Sequence, residues 1–319
     1  MIFLANEPLL YQEVFMYELI IVGGGPAGMA SAVYAARKLL KTLLVTNDIG
    51  GQVLWTSGVE NYLGYQFIQG DELISKFQAQ VDQFPIDRKI GTSVTRVNKI
   101  VGGFEVVSGN GDRFQGKALI LASGKRPRRL KVEGETEFTG HGVTYCAICD
   151  GPLFKDQKVA VIGGGNSAIE AALDMVNIAK HIYLVSTTPL TGDPILIEKL
   201  TSAANVTLYI DHQTEKIFGQ DFVKGIFIKD LHSEISRQLD VAGVFIEIGL
   251  EPNSEMVRDL VKLNELNEVP VDCHSQTEIP GLFAAGDVTS VPEKQIAIAV
   301  GAGAKAALQA HRYLQRLPG

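Results

Sequence analysis

The chain has 319 residues, of which 46% are hydrophobic and 20% charged, and its formal net charge is −7. This length allows two domains of ordinary size, and the apolar content excludes intrinsic disorder. The acidic charge argues against nucleic-acid binding. No apolar run approaches the roughly 20 residues that span a bilayer, so we expect no membrane segment.

The first fifteen residues precede the first predicted strand, and Met16 stands directly before that strand. Residues 1–15 carry no basic segment followed by a small-residue cleavage site, so they do not indicate a secretory signal. We treat them as an N-terminal extension. Only three cysteines occur in the chain, and two of them are spaced for redox chemistry. We therefore expect a reducing, cytoplasmic location.

A glycine-rich loop between a buried strand and a helix predicts the first dinucleotide-binding fold. The strand is predicted over 17–22, and the helix over 26–40. In the loop GGGPAG, Gly23 allows a tight turn, Gly25 lets a pyrophosphate approach the backbone, and Gly28 lets the helix pack on the strand. The alternative is a glycine-rich turn without a ligand.

A second strand is predicted over 42–45, and the residues after it are the place for a ribose-binding acid. Thr46 and Asn47 stand at that position, and Asp48 comes slightly late. The ribose contact is therefore unassigned.

The same pattern returns downstream, where a strand over 158–162 precedes a second glycine-rich loop and a helix. The residues expected to contact a second nucleotide are Gly163, Gly165, Asn166, Ser167 and Ala168. Ala168 replaces the third glycine, which this fingerprint tolerates.

Two short segments connect the folds. The strand over 118–124 is followed by a basic, exposed connector over 125–129, and a matching return lies at 249–253. We predict an α/β protein with two Rossmann-like dinucleotide-binding domains, the second inserted into the first. Residues 16–126 and 251–319 form the first domain, and residues 127–250 form the inserted one.

A C-x-x-C pair, Cys146 and Cys149, lies just before the second glycine loop. Such a pair forms and opens a disulfide readily, and its attacking sulfur must be a thiolate. A structural zinc site is the alternative, but only Cys273 and scattered histidines remain as ligands, so we predict no metal. Asp150 is a candidate proton carrier for the thiols. Its alternative role is that of a turn carboxylate.

Several separated motifs resemble the low-molecular-weight thioredoxin reductases, of the class II pyridine nucleotide-disulfide oxidoreductase type. They are GGGPAG at Gly23, GGQ at Gly50, VEN at Val59, the C-x-x-C-D-G, GGGNSA at Gly163, and GLFAAGD at Gly281 leading to Lys294 and Gln295. The segment around the cysteines is also similar to the flavoprotein component of alkyl hydroperoxide reductase. That component has an additional N-terminal thioredoxin-like part.

The resemblance implies FAD in the first fold, a homodimer, and a thioredoxin-like protein disulfide as the partner that is reduced. It also implies that Cys149 lies nearest the flavin and that Cys146 attacks the partner. The residues expected to hold FAD are Gly23, Gly25, Pro26, Ala27, Gly28, Gly50, Gly51, Gln52, Asn61, Gly124, Gly286, Asp287, Lys294 and Gln295.

One loop departs from the family. NADPH-dependent members carry an arginine cluster after the second strand of the inserted domain, but here residues 186–193 read STTPLTGD. Without arginine the contact to a 2′-phosphate loses most of its strength. Three accounts of the electron donor remain open: a nicotinamide cofactor bound weakly or through other residues, ferredoxin, or a different dinucleotide, even a second flavin, in the inserted fold. With a nicotinamide donor, the protein would be an NAD(P)H-dependent reductase of a thioredoxin or peroxiredoxin system. We favour a donor other than NADPH. A flavin-bound redox sensor is a further alternative, although no output element is visible.

Overall fold

The computed structural model describes residues 16–55 and 58–318. The predicted extension over residues 1–15 lies outside the described residues. The first part of the described chain alternates between strands and helices up to β3 and then continues with three more strands. The elements are β1 (Met16–Gly24), α1 (Pro26–Arg37), β2 (Thr42–Ile49), α2 (Gly70–Val81), β3 (Asp87–Ile90), β4 (Val94–Ile100), β5 (Gly103–Ser108) and β6 (Arg113–Leu121).

A second set of elements follows, and the chain then returns to the first set. The middle elements are β7 (Lys125–Pro127), β8 (Val143–Thr144), α3 (Ala147–Asp150), β9 (Lys158–Ile162), α4 (Asn166–Met175), β10 (His181–Ser186), α5 (Pro194–Thr201), β11 (Val206–Ile210), β12 (His212–Gly219), β13 (Val223–Asp230), β14 (Ser236–Asp240) and β15 (Gly243–Ile246). The last are β16 (Leu250–Pro252), β17 (Leu282–Ala284) and α6 (Ile296–Leu314). Among the described residues, no helix is both long and apolar enough to cross a membrane.

The first sheet has the order β3-β2-β1-β6-β5-β4, and β17 pairs with β6. Its central strand β1 is apolar without alternation because both faces of the sheet are covered. Leu19 and Ile21 face a cluster that includes α1, α2 and α6, whereas Ile20 and Val22 face a second cluster on the other side. The first glycine loop follows the buried strand β1 and the second follows the buried strand β9, as predicted.

The second sheet is parallel and has the order β11-β10-β9-β15-β8. Helix α4 covers one face, and the antiparallel sheet β12-β13-β14 covers the other. The chain leaves β9 towards β10 on one side, and β15 pairs on the other side. The gap between the ends of β9 and β15 is therefore the topological switch point, where α/β sheets bind ligands.

A two-stranded ribbon joins the two sheets. Strand β7 pairs antiparallel with β16, so that Arg126 lies opposite Glu251. The Arg126 guanidinium also contacts the carboxylates of Glu251 at 3.2 Å and Glu255 at 2.6 Å. The predicted domain boundaries fall inside this ribbon, between residues 126 and 127 and between residues 250 and 251.

Some predicted element ends were wrong. Helix α1 ends at Arg37 instead of near residue 40, because Leu39 adopts a left-handed φ of 61°. Strand β2 extends to Ile49, beyond the predicted residue 45. Lys125 was predicted to be exposed, but its side chain is only 9% exposed because it pairs with Glu268.

Helices α1 and α6 pack closely because small residues lie between them. A Cβ added at Gly303 would overlap the backbone carbonyl of Ala27. The Ser31 hydroxyl donates to the carbonyl oxygens of Ala27 at 2.8 Å and Gly303 at 3.0 Å. Helix α1 begins at the first glycine loop, so this contact also positions that loop.

We expect Gly303→Val to lower the free energy of unfolding by about 2 kcal/mol or more, because the new side chain must push the two helices apart. Thermal unfolding followed by circular dichroism measures this. Gly301 is the matched control, because it lies on the same helix with no heavy atom within 4 Å of an added Cβ. Gly301→Ala should stabilise the helix by about 0.5–1 kcal/mol. Equal melting temperatures for the two variants would contradict this description of the contact.

Candidate functional site

A cleft of about 640 Å³ lies between the first sheet and the redox-active segment. Its volume is within the range of about 300–1,000 Å³ that ligand sites occupy. Both cysteines of the pair line it. So do most of the residues predicted to hold FAD, namely Gly23, Gly25, Pro26, Ala27, Gly51, Gln52, Gly124, Gly286, Asp287, Lys294 and Gln295.

The first glycine loop has the shape of a phosphate cradle. Gly23 has a left-handed φ of 113°, and an added Cβ there would overlap the Ala122 carbonyl. An added Cβ at Gly28 would overlap the Gly23 carbonyl, so Gly28 packs the helix instead of lining the cleft. Gly25 caps the N-terminus of α1 and has open space beyond its Cα. An anion at this point would meet the N–H groups and the positive end of α1.

Two further predicted residues take supporting positions. Gly50 packs against Leu54 and Ile74, outside the cleft lining. The Asn61 side-chain amide donates to the Gln295 side-chain oxygen Oε1 at 3.2 Å, and this contact links Asn61 to the cleft margin. Gln52 donates to the Asp287 carboxylate at 3.3 Å. Burial raises the pKa of Asp287, and nearby Lys294 and Lys125 oppose that shift.

A buried ionic cluster stands against the cleft, and sequence reasoning missed it. The Glu268 carboxylate accepts from Lys125 at 2.7 Å and lies 3.2 Å from the Lys294 ammonium. Burial would raise the pKa of Glu268, but the hydrogen bonds from Lys125 and Asn264 bring it below its usual value. Burial lowers the pKa of Lys294. The cluster places positive charge beside Asp287.

The unassigned ribose position is polar in the structure. Thr46, Asn47 and Asp48 all line the cleft, together with Ser93. The Ser93 hydroxyl donates to the Asn47 amide oxygen at 3.0 Å, and Asp48 accepts from Gly51 N–H at 3.2 Å. One carboxylate oxygen of Asp48 is therefore already hydrogen-bonded to Gly51 N–H. Asn47 and Ser93 present polar groups at the position where an acidic residue that binds the ribose was expected.

Cys146 and Cys149 form a disulfide with Cα atoms 5.3 Å apart. Cys146 caps the short helix α3, and its sulfur accepts from Cys149 N–H at 3.2 Å. Both cysteines are partly buried, but Ile148 between them is 60% exposed. The pair therefore lines the cleft while being partly buried, and an exposed hydrophobic side chain lies between the two cysteines.

Asp150 is buried at the end of α3, and the Thr144 hydroxyl donates to its carboxylate. The Thr144 oxygen in turn accepts from Cys146 N–H at 3.2 Å. Asp150 is therefore linked to the first cysteine through one hydroxyl. These contacts are those of a turn carboxylate, because the hydroxyl reaches the backbone N–H of Cys146 and not its sulfur.

Tyr145, directly before the first cysteine, is fixed by a charged pair. Its hydroxyl donates to the Glu135 carboxylate at 2.9 Å and accepts from Arg129 at 2.5 Å. Burial, with the Glu135 hydrogen bond, raises the pKa of Tyr145 to about 12. The phenol therefore stays neutral and does not act as a base at ordinary pH.

The second glycine loop keeps an open cradle. Gly165 caps α4, and an added Cβ there would meet only the Thr191 hydroxyl at 4.0 Å. Gly163 and Ala168 pack against one another, and the Asn166 side chain accepts from Asp193 N–H at 2.8 Å. Ser167 is exposed beside them. The residues present could accept a pyrophosphate.

The adjoining loop offers no positive charge to a 2′-phosphate. Ser186 is buried, and its hydroxyl donates to the Thr188 carbonyl at 2.7 Å. Thr187 and Thr188 are exposed, and residues 186–192 contain no charged side chain. Within residues 16–55 and 58–318, no cluster of potential metal ligands was found.

The chain is similar to proteins of known class. It is 42% identical over 301 residues to the F subunit of alkyl hydroperoxide reductase from Staphylococcus aureus, and the match covers 94% of this chain and 59% of that protein. The Staphylococcus epidermidis protein of the same name is 40% identical with the same coverage. The chain thus spans about three-fifths of the length of these relatives.

Solved structures agree. The thioredoxin reductase of Streptococcus pyogenes matches with a TM-score of 0.90 at 35% identity, covering 95% of this chain and 99% of that one. The Lactococcus lactis thioredoxin reductase, described as being in the FR conformation, matches with 0.66 at 34% identity, over 94% of this chain and all of that one.

The fold, the two cradles and the disulfide all agree with these similarities. A family model described as pyridine nucleotide-disulphide oxidoreductase matches residues 17–306. The chain therefore belongs to the pyridine nucleotide-disulphide oxidoreductase family.

Proposed function

We propose that the protein is an FAD-dependent disulfide reductase that passes electrons through the Cys146–Cys149 pair to the disulfide of a thioredoxin-like protein. One observation carries the proposal: the disulfide and the first glycine cradle open into the same cleft. A flavin whose pyrophosphate lies at Gly25 would have its ring system within this cleft. Family membership and the similarity to thioredoxin reductases support FAD as the flavin.

The roles of the chain's own residues follow from their positions. The Gly25 cradle and the N-terminus of α1 would hold the pyrophosphate, and Lys294, Gln295 and Asp287 would line the remainder. When bound and reduced by the electron donor, the flavin would supply the electron pair that opens the disulfide and would return to its oxidised form. Opening gives one thiolate and, after proton uptake, one thiol. We propose Asp150 as the group that exchanges that proton; its contact with Thr144, which accepts from the Cys146 backbone N–H, keeps it close to the pair.

Exchange with the partner then balances without another reagent. The Cys146 thiolate attacks one sulfur of the partner disulfide and forms a mixed disulfide, and the partner's other sulfur leaves as a thiolate. Cys149 attacks Cys146, which closes the original disulfide and releases the second partner thiolate. The partner gains two electrons, and the pair is oxidised again. The exposed Ile148 gives the partner an apolar contact beside the pair.

The electron donor in this proposal is not NADPH. The uncharged loop over residues 186–192 supports this, because a 2′-phosphate there would lack a cationic partner. Reduced ferredoxin or a second flavin remains as the donor, and the open Gly165 cradle suits a dinucleotide. We further propose a homodimer in the cytoplasm, by analogy with the resembled family and from the low cysteine content.

Gly25→Val should yield protein without flavin, because its side chain would fill the space that the pyrophosphate needs. Absorbance of the purified protein at flavin wavelengths, divided by protein concentration, measures the loss. The matched control is Gly165→Val in the second cradle, which should keep about one FAD per chain if the first fold alone holds flavin. If Gly25→Val retained its full flavin content, the proposed binding site for FAD at the first glycine loop would be wrong.

Serine variants of the two cysteines should differ in their absorption spectra. Cys146→Ser leaves Cys149 beside the flavin, where its thiolate should add a long-wavelength absorption band. Cys149→Ser should lack that band. Both should lose disulfide reductase activity, because exchange needs an attacking and a resolving sulfur. The opposite spectra would exchange the two roles, and no band in either variant would remove the flavin-proximal assignment.

NADPH should bleach the flavin poorly under anaerobic conditions, whereas reduced ferredoxin should bleach it readily. Two missing charge-assisted contacts of about 1.5–3 kcal/mol each would weaken NADPH binding by roughly a hundredfold or more. The double change Thr187→Arg and Thr188→Arg should restore part of the NADPH response. Thr201→Arg, an exposed threonine on α5, controls for added charge. Rapid bleaching of the unchanged protein by micromolar NADPH is the result that refutes this assignment.

A further inference from the structure

Tyr145 connects the short strand β8 to the first cysteine of the pair. Strand β8 pairs with β15 through Val143 and Thr144, and it ends at Thr144. The chain therefore enters the redox-active turn from a strand of two residues, which is shorter than an ordinary strand and gives little backbone pairing. Side-chain contacts on either side of this point decide how firmly Cys146 is held.

The Tyr145 side chain supplies one of these contacts. Its hydroxyl donates to Glu135 Oε1 at 2.9 Å and accepts from the Arg129 guanidinium at 2.5 Å. The guanidinium also lies 4.9 Å from the centre of the Tyr145 ring. Tyr145 lines the cleft together with both cysteines. Its hydroxyl is thus held by a carboxylate and a guanidinium, while the residue itself stands beside the disulfide.

Glu135 is the centre of this network. It is only 2% exposed. Besides the phenol, its carboxylate accepts from Leu130 N–H at 3.1 Å and from Lys131 N–H at 2.7 Å. Lys131 has a left-handed φ of 62°, a conformation that lysine rarely adopts, so these bonds stabilise an unusual turn. The buried carboxylate is well satisfied, because three donors reach its two oxygens.

The same carboxylate connects the redox-active segment to the connector between the sheets. Residues 129–131 follow strand β7 after a single residue, Arg128. The backbone N–H of Arg128 donates to the Gly249 carbonyl at 3.0 Å, so the connector is bound to the returning chain at this point. Glu135 therefore joins the chain that leaves the two-stranded ribbon to the residue that precedes Cys146.

We propose that Glu135 is a positioning residue for the disulfide: through the Tyr145 hydroxyl, it holds Cys146 where Cys149 can close the ring. The proposal rests on the dithiol function given above. Reduction separates the two sulfurs, and a loosely held segment then gains conformational freedom, which favours the open form. A segment that is held in place keeps the two thiols at a high effective concentration and favours the closed disulfide.

Equilibration with glutathione measures this effective concentration and needs neither flavin turnover nor an electron donor. One glutathione disulfide oxidises the dithiol and leaves as two glutathione thiols, so the mixture at which half of the protein is oxidised gives the equilibrium constant. We would trap free thiols by alkylation under anaerobic conditions and count them by mass spectrometry. Every protein in the series would carry Cys273→Ser, which removes the exposed free cysteine.

Tyr145→Phe should lower the equilibrium constant for disulfide formation about fivefold or more, because it keeps the ring and removes the hydroxyl that reaches Glu135. Glu135→Gln should act in the same direction, because its amide nitrogen would face a donor that the carboxylate now accepts. The double variant should fall no further than the larger single change, since both substitutions break the same connection. If Glu135→Gln fails to fold, the Tyr145→Phe result still decides.

Tyr183→Phe is the matched control, because it removes a hydroxyl from another half-buried tyrosine, on β10 of the same sheet. It should leave the equilibrium constant unchanged. A Tyr145→Phe protein with the constant of the unchanged protein would overturn the proposal, and so would single effects that simply add in the double variant. Absence of reductase activity alongside the expected shifts would refute only the proposed function. A pair that glutathione cannot oxidise and reduce in the unchanged protein would overturn both.

Discussion

The first glycine loop follows a strand of the first sheet, and the disulfide follows a strand of the second sheet. The proposed chemistry nevertheless requires both to open into one cleft. The connection that achieves this is short: β7 and β16 each contribute three residues. Arg126 bridges the ribbon to Glu251 and reaches Glu255 beyond it, so ion pairs support the joint. The placement seen here keeps the disulfide at the cleft.

Partly buried charged side chains lie on both sides of this cleft. On the first-sheet side, Lys125 and Lys294 share the Glu268 carboxylate and face Asp287. The ammonium groups of Lys125 and Lys294 at this side of the cleft suit a ligand with negative phosphates. On the disulfide side, the Asp150 carboxylate accepts from the Thr144 hydroxyl, whose oxygen accepts from Cys146 N–H. The two sides of the cleft therefore present different charged groups, lysines beside the first glycine loop and a carboxylate behind the redox-active turn.

Sequence reasoning succeeded where the signal is local. The loop at Gly23 lies between a strand and a helix that are adjacent in the chain, and the cysteines are three residues apart. It failed where partners are distant: Lys125 meets Glu268 across 143 residues, and Asn47 meets Ser93 across 46. No periodicity or spacing encodes these contacts, so a connector predicted to be exposed proved to be buried at Lys125.

The central claim is that the flavin and the Cys146–Cys149 pair form one redox unit. Anaerobic titration with dithionite tests it most directly, because each centre is a two-electron couple and the electrons can be counted. We expect uptake of about four electrons per chain by the unchanged protein and about two by a variant with both cysteines replaced by serine. Uptake of about two electrons by both proteins would contradict the claim, because the disulfide would then not exchange electrons with the flavin.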